Sequence, residues 1–73
     1  MILIYKIGRC RLKELLKKRG FTYESFGNRV GLSIGHISDY ANNRHVMGLE
    51  LARNIADELN CAIEDLYEWT EER

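Results

Sequence analysis

The sequence predicts a small all-α domain of five helices, with a helix-turn-helix formed by the second and third. Three observations carry this. Apolar residues recur at helical spacing in four or five short blocks. Proline is absent, and Gly or Asn stands where each of the first four blocks stops. The chain has 73 residues, which folding buries to only about 60% of its extended surface, so one small helical core is the arrangement it can support.

The first helix is expected over about residues 9–19, with Leu12, Leu15 and Leu16 on one side and Lys13, Lys17 and Lys18 on the other. Gly20 ends it, because glycine enters the left-handed conformation without a Cβ penalty. Thr22 caps a two-turn helix from Tyr23 to Val30, with Phe26 and Val30 inward, and Gly31 ends that helix. Ser33 caps the third helix, about Ile34 to Asn42, which carries Ile34, Ile37 and Tyr40 at i, i+3, i+6 and closes at Asn42-Asn43. After a loop over 44–48, Gly48 caps Leu49 to Leu59, with Ala52, Ile55, Ala56 and Leu59 buried and Asn60 as its stop. Ile63 to Trp69 is expected as a fifth helix, with Glu64 and Asp65 suited to its positive end. This gives one domain over 1–73: an N-terminal arm (1–8), a helical core (9–69) and a tail (70–73).

Composition narrows the function. Two cysteines cannot staple a secreted scaffold, and Cys10 and Cys61 read as small buried hydrophobes in a cytoplasmic protein. No apolar run is long enough to span a membrane. His36 and His45 have no cysteine or carboxylate at ligand spacing, so neither a metal nor another cofactor is expected. No nucleophile, base and orienting group can be assembled, which argues against an enzyme. The net charge is zero, yet residues 1–30 carry +6 and residues 31–73 carry −6. Such a polarised field steers a charged partner.

The informative segment is Tyr23 to Asn42. Gly27 sits inside a helix, where it costs about 1 kcal/mol relative to Ala, and close approach of the next helix explains it. Gly31 at the turn, followed by Leu32 and Ile37, completes the pattern of two helices crossing at about 90–120°. That geometry holds the second of the two proud of the body, where it can enter a major groove.

The stretches "RLKELLKKRGFT", "FGNRVGLSIGHISDYANNR", "GLELARNIADELN" and "IEDLYEW" resemble the phage Cro/repressor (XRE-like) family of helix-turn-helix transcriptional regulators, over about residues 9–69. The resemblance implies a repressor-like fold and a sequence-specific regulator that binds double-stranded DNA, usually as a dimer. It places base-reading positions at Ser33, Ile34, Gly35, Ser38 and Asp39, and phosphate contacts at Tyr23, Asn42, Asn43 and Arg44, to which charge adds Arg29. The family often has Thr-Gln where this chain has Thr22-Tyr23. Many relatives also pair an Arg and a Glu at the positions of Leu16 and Ala41; here both are apolar, which leaves no orphan charge.

The recognition face has no Arg, Lys, Gln or Asn before Asn42, so direct readout is expected to be modest and DNA shape to contribute. His36 is a possible further donor, and its place one residue before Ile37 can instead turn it away from the groove. Homodimerisation is expected through Ile2, Ile4, Leu51, Tyr67 and Trp69. The alternative is a protein-interaction module on the same scaffold, a modulator of another regulatory protein or an antitoxin, with weak DNA binding.

Overall fold

The computed structural model describes residues 4–72. It contains four α-helices, one 3-10 turn and a two-stranded antiparallel sheet, in the order β1 (Tyr5–Cys10), α1 (Leu12–Arg19), α2 (Tyr23–Val30), α3 (Ile34–Ala41), α4 (Leu49–Glu58), the turn at Ile63–Leu66, and β2 (Tyr67–Glu71).

The four helices form where their signals lie. Thr22 and Ser25 make a reciprocal capping box: Thr22 Oγ1 accepts the Ser25 amide at 3.0 Å and Ser25 Oγ accepts the Thr22 amide at 2.9 Å. Ser33 Oγ accepts the His36 amide at 3.3 Å at the head of α3. Gly20 (φ 78°) and Gly31 (φ 76°) end α1 and α2 in the left-handed conformation. Gly48 heads α4, and Asn60 (φ 54°) follows its end.

The five-helix all-α expectation is wrong at both ends of the chain. Residues 5–10, expected as an arm running into the first helix, form β1. The expected fifth helix breaks after one 3-10 turn, and Tyr67 onward turns into β2. The register pairs Tyr5 with Glu71, Lys6 with Thr70, Ile7 with Trp69 and, past a bulge, Cys10 with Tyr67. Ile63, Leu66 and Tyr67 mimic an i, i+3, i+4 helical stripe, but from Tyr67 the residues alternate apolar and polar, a period of two. Aromatic residues favour strands, and a partner strand 60 residues away decides the contest. The turn at 63–66 has a cap despite Ala62: the Asp65 carboxylate reaches back to accept the Ala62 amide at 3.1 Å.

The core joins both layers. Leu12, Leu16, Phe26, Ile37, Ile55, Leu59 and Leu66 are fully buried, with Cys10 and Tyr67 carrying the core out under the sheet. Leu16 and Ala41 both lie within this cluster, as two apolar residues must where no buried charge is to be satisfied. Gly27 shows why it is glycine: a Cβ there would collide with the Leu32 carbonyl in the α2–α3 turn. The close approach is thus made by the turn itself, with Ile37 of α3 just behind it.

Candidate nucleic-acid interface

At 3.6 residues per turn, burial of Ile37 and Ala41 turns Gly35, His36, Asp39 and Asn42 to the opposite face of α3, with Ser38 at its flank; Ile34 lies about 60° from Ile37 and is partly exposed as the first residue of the helix. Gly35, His36 and Asn42 are exposed, Ile34 is 51% exposed, and Ser38 and Asp39 are half-buried. Of the expected base-reading residues, Gly35 and Asp39 share this face with His36, Ser38 flanks it, Ile34 stands half exposed in the first turn, and Ser33 is the cap. His36, a possible donor whose direction the sequence left open, stands about 100° from Ile37 and faces outward. Its ring Nδ1 lies 3.1 Å from Ser33 Oγ, so Ser33 both caps α3 and holds this ring.

Several expected DNA contacts already have partners within the chain. Asn42 Nδ2 donates to the Ser38 carbonyl at 2.9 Å and to Ser38 Oγ at 3.2 Å, fastening the last turn of α3. Asn43 takes the left-handed conformation (φ 64°), and its Oδ1 accepts the Cys10 amide at 2.7 Å. The Arg44 guanidinium lies 3.3 Å from the Asp39 carboxylate. Arg29 pairs with Glu58 of α4 at 3.1 Å and lies over the Phe21 ring, 5.6 Å from its centroid. Tyr23 opens α2 half-buried against the core.

The charge split also changes meaning once the chain folds. Acids from the second half return to the cations of the first: Glu72 to Lys6 at 3.1 Å, Glu68 to Arg9 at 3.2 Å and Glu58 to Arg29. Arg9 also contacts Glu14, and these carboxylates hold its guanidinium charge more firmly than usual. Lys13, Lys17 and Lys18 of α1 make no ion pair among the described residues, so α1 carries the exposed positive surface.

The residues expected at a dimer interface divide. Ile2 lies outside the described residues. Ile4 and Leu51 are half-buried. Tyr67 is buried, its hydroxyl accepting the Met47 amide at 3.1 Å. Trp69 is 49% exposed, with its indole N–H donating to the Glu64 carbonyl at 2.9 Å. Four apolar residues not expected there, Tyr5, Ile7, Val46 and Leu49, are exposed. Ile7, Val46, Leu49 and Trp69 rim an apolar hollow of about 190 Å³ floored by Met47, Ala52, Ile63 and Tyr67. The alternation in each strand signals this surface only once the two are known to pair.

A capped, outward-facing helix set across another by a three-residue turn defines a helix-turn-helix nucleic-acid-binding domain. The sequence profile of the Cro/C1-type HTH DNA-binding domain matches residues 11–72, and the chain belongs to that family. It is 38% identical over 71 residues to the Bacillus subtilis (strain 168) protein named SPbeta prophage-derived uncharacterized HTH-type transcriptional regulator YopS, covering 93% of each chain. It is 35% identical over 60 residues to a second such regulator of that organism, YotL, covering 81% of this chain and 75% of the relative. In fold it is similar to the crystal structure of the transcriptional regulator VanUg, with a TM-score of 0.69, 21% identity, and coverage of 97% of this chain and 93% of that one.

Proposed function

We infer that α3 enters the major groove of double-stranded DNA, where the chain acts as a DNA-binding transcriptional regulator of the phage type. The observation that carries this is the outward face of α3, free of core duties and presented by a tight turn. Ile34 and Ser38 offer apolar and weak polar contacts to base edges, His36 adds a ring donor, and Asp39 an acceptor. Ile34 is the clean test. It is half exposed, so Ile34→Glu leaves the melting temperature within about 3 °C and abolishes duplex binding. Binding that survives this change would exclude α3 from the groove.

The chain works as a homodimer, and the second copy covers the apolar surface of Tyr5, Ile7, Val46, Leu49 and Trp69. Their exposed apolar area is on the order of 500 Å². That is larger than scattered surface hydrophobes present, and a polar rim brings it to the roughly 800 Å² per partner of a standard interface. The exposed part of Trp69 and the hollow it lines lie in one patch, as a two-fold pairing of identical surfaces requires. Val46 follows α3 by only five residues, so the pairing would set two recognition helices side by side.

A further inference from the structure

We propose that Asp39 is a built-in competitor for Arg44, an internal anion that DNA phosphate must displace, and that it suppresses sequence-independent binding. The inference rests on the reading of α3 as the groove-entering helix and deepens it.

Asp39 is the one carboxylate on α3 and stands on its outward face. The backbone brings its partner to it: the Arg44 amide donates to the Asp39 carbonyl at 2.8 Å, and the His45 amide lies 3.4 Å from the same oxygen. Within this fixed turn the Arg44 guanidinium reaches the carboxylate at 3.3 Å, and the His45 ring lies 3.9 Å from its other oxygen. The Arg44 side chain is 63% exposed, so it can leave by rotating its own bonds without moving α3.

Two costs follow when Arg44 turns to a phosphate. The surface ion pair is lost, and a bare carboxylate is left on the face nearest a polyanion. On arbitrary DNA these costs offset what the new phosphate contact contributes. On a site whose base edge offers an amino group, Asp39 gains a replacement partner and the contact is kept. The pair thus makes a phosphate contact conditional on a base, which supplies discrimination to a helix that has no bidentate base reader.

The test measures binding of a 20-bp random-sequence duplex by fluorescence anisotropy across a sodium chloride series. It uses the wild type, Asp39→Asn, Arg44→Ala and the double variant. Asp39→Asn is expected to bind about three- to tenfold tighter at 0.1 M salt, with a log–log salt slope steeper by about 0.9, the value of one added phosphate contact. Arg44→Ala is expected to weaken the Asp39→Asn protein at least about threefold and the wild type less than about twofold. Circular dichroism separates these effects from misfolding, and Asp39→Ser is the second variant should the amide perturb α3. Equal affinity and slope for wild type and Asp39→Asn, or one Arg44→Ala effect in both backgrounds, overturns the proposal while leaving α3 in the groove. A wild type that binds no duplex at any salt removes the underlying reading, and the proposal with it.

Discussion

The Asn43 side chain accepts the Cys10 amide at 2.7 Å, tying the β-bulge of the sheet to the turn that leaves α3. Asn43 does this in the left-handed conformation, so one residue ends α3 and anchors β1. Its oxygen is engaged within the fold, which makes Asn43 a positioning residue for the interface as well as a candidate phosphate donor through Nδ2.

Two substitutions separate its two tasks. Asn43→Gly keeps the backbone conformation and loses the acceptor, leaving a part-buried amide unsatisfied at a cost of about 1 kcal/mol or more. Asn43→Ala keeps the β-carbon but loses the side-chain amide that lets Asn tolerate the left-handed conformation, a further ~1 kcal/mol. Thermal unfolding should show drops of roughly 4–8 °C and 8–16 °C. Equal melting temperatures for the two variants would mean that backbone strain at Asn43 is absent.

Gly27 gives a substitution whose sign is opposite to helix propensity. Alanine is favoured by about 1 kcal/mol inside a helix, but here its Cβ meets the Leu32 backbone carbonyl, which has no side-chain freedom to yield. Gly27→Ala is expected to destabilise by about 1–3 kcal/mol net, read as a lower urea midpoint. A raised midpoint would contradict the close approach of the α2–α3 turn.

Stability should fall at alkaline pH. Burial pushes up both the Cys10 thiol and the Tyr67 hydroxyl, so each holds its proton more tightly in the folded chain than in the unfolded one. The stabilisation linked to each is complete below its unfolded value, about 8.5 for Cys and 10 for Tyr, and is lost as pH rises through the folded value. Urea midpoints should therefore decline from about pH 9 upward. Burial raises the Cys61 thiol as well, so in Cys10→Ala/Cys61→Ala the onset should move to the higher pH where Tyr67 titrates; an unchanged onset would show that the thiols are not its source.

The apolar surface around Trp69 predicts its own disruption. Leu49 is 75% exposed, so Leu49→Glu should cost little in the folded monomer and abolish self-association in sedimentation equilibrium. Trp69 offers a second readout, since its emission should shift red as the partner is lost. A wild-type chain that stays monomeric at all working concentrations would rule out the dimer.

How much of this was legible depended on whether the signal was local. Thr22, Ser33, Gly20, Gly31 and Asn60 act on their own turns, and the helices they bound lie close to where those residues place them. The sheet was hidden because the two-residue alternation of Tyr67–Glu71 runs on from the helical stripe of Ile63, Leu66 and Tyr67, and because each short strand is held only by the other, far away in sequence. In the site, one residue type in one place could be read: Gly27 announced the crossing. What could not be read was pairing between residues, such as Asp39 with Arg44, Asn43 with Cys10 and Arg29 with Glu58, because side-chain partners depend on folded distances. His36 stands outward although its neighbour Ile37 is buried, because the helix turns about 100° between them.

The most direct measurement is iterative selection of the purified chain against a randomised duplex pool at moderate salt, followed by sequencing of the survivors. Placing α3 of each protomer in successive major grooves predicts enrichment of an inverted repeat with half-sites about 10 bp apart. A pool that remains unenriched, with binding confined to low salt, would reduce the interaction to non-specific phosphate contact and favour a protein partner for this scaffold instead.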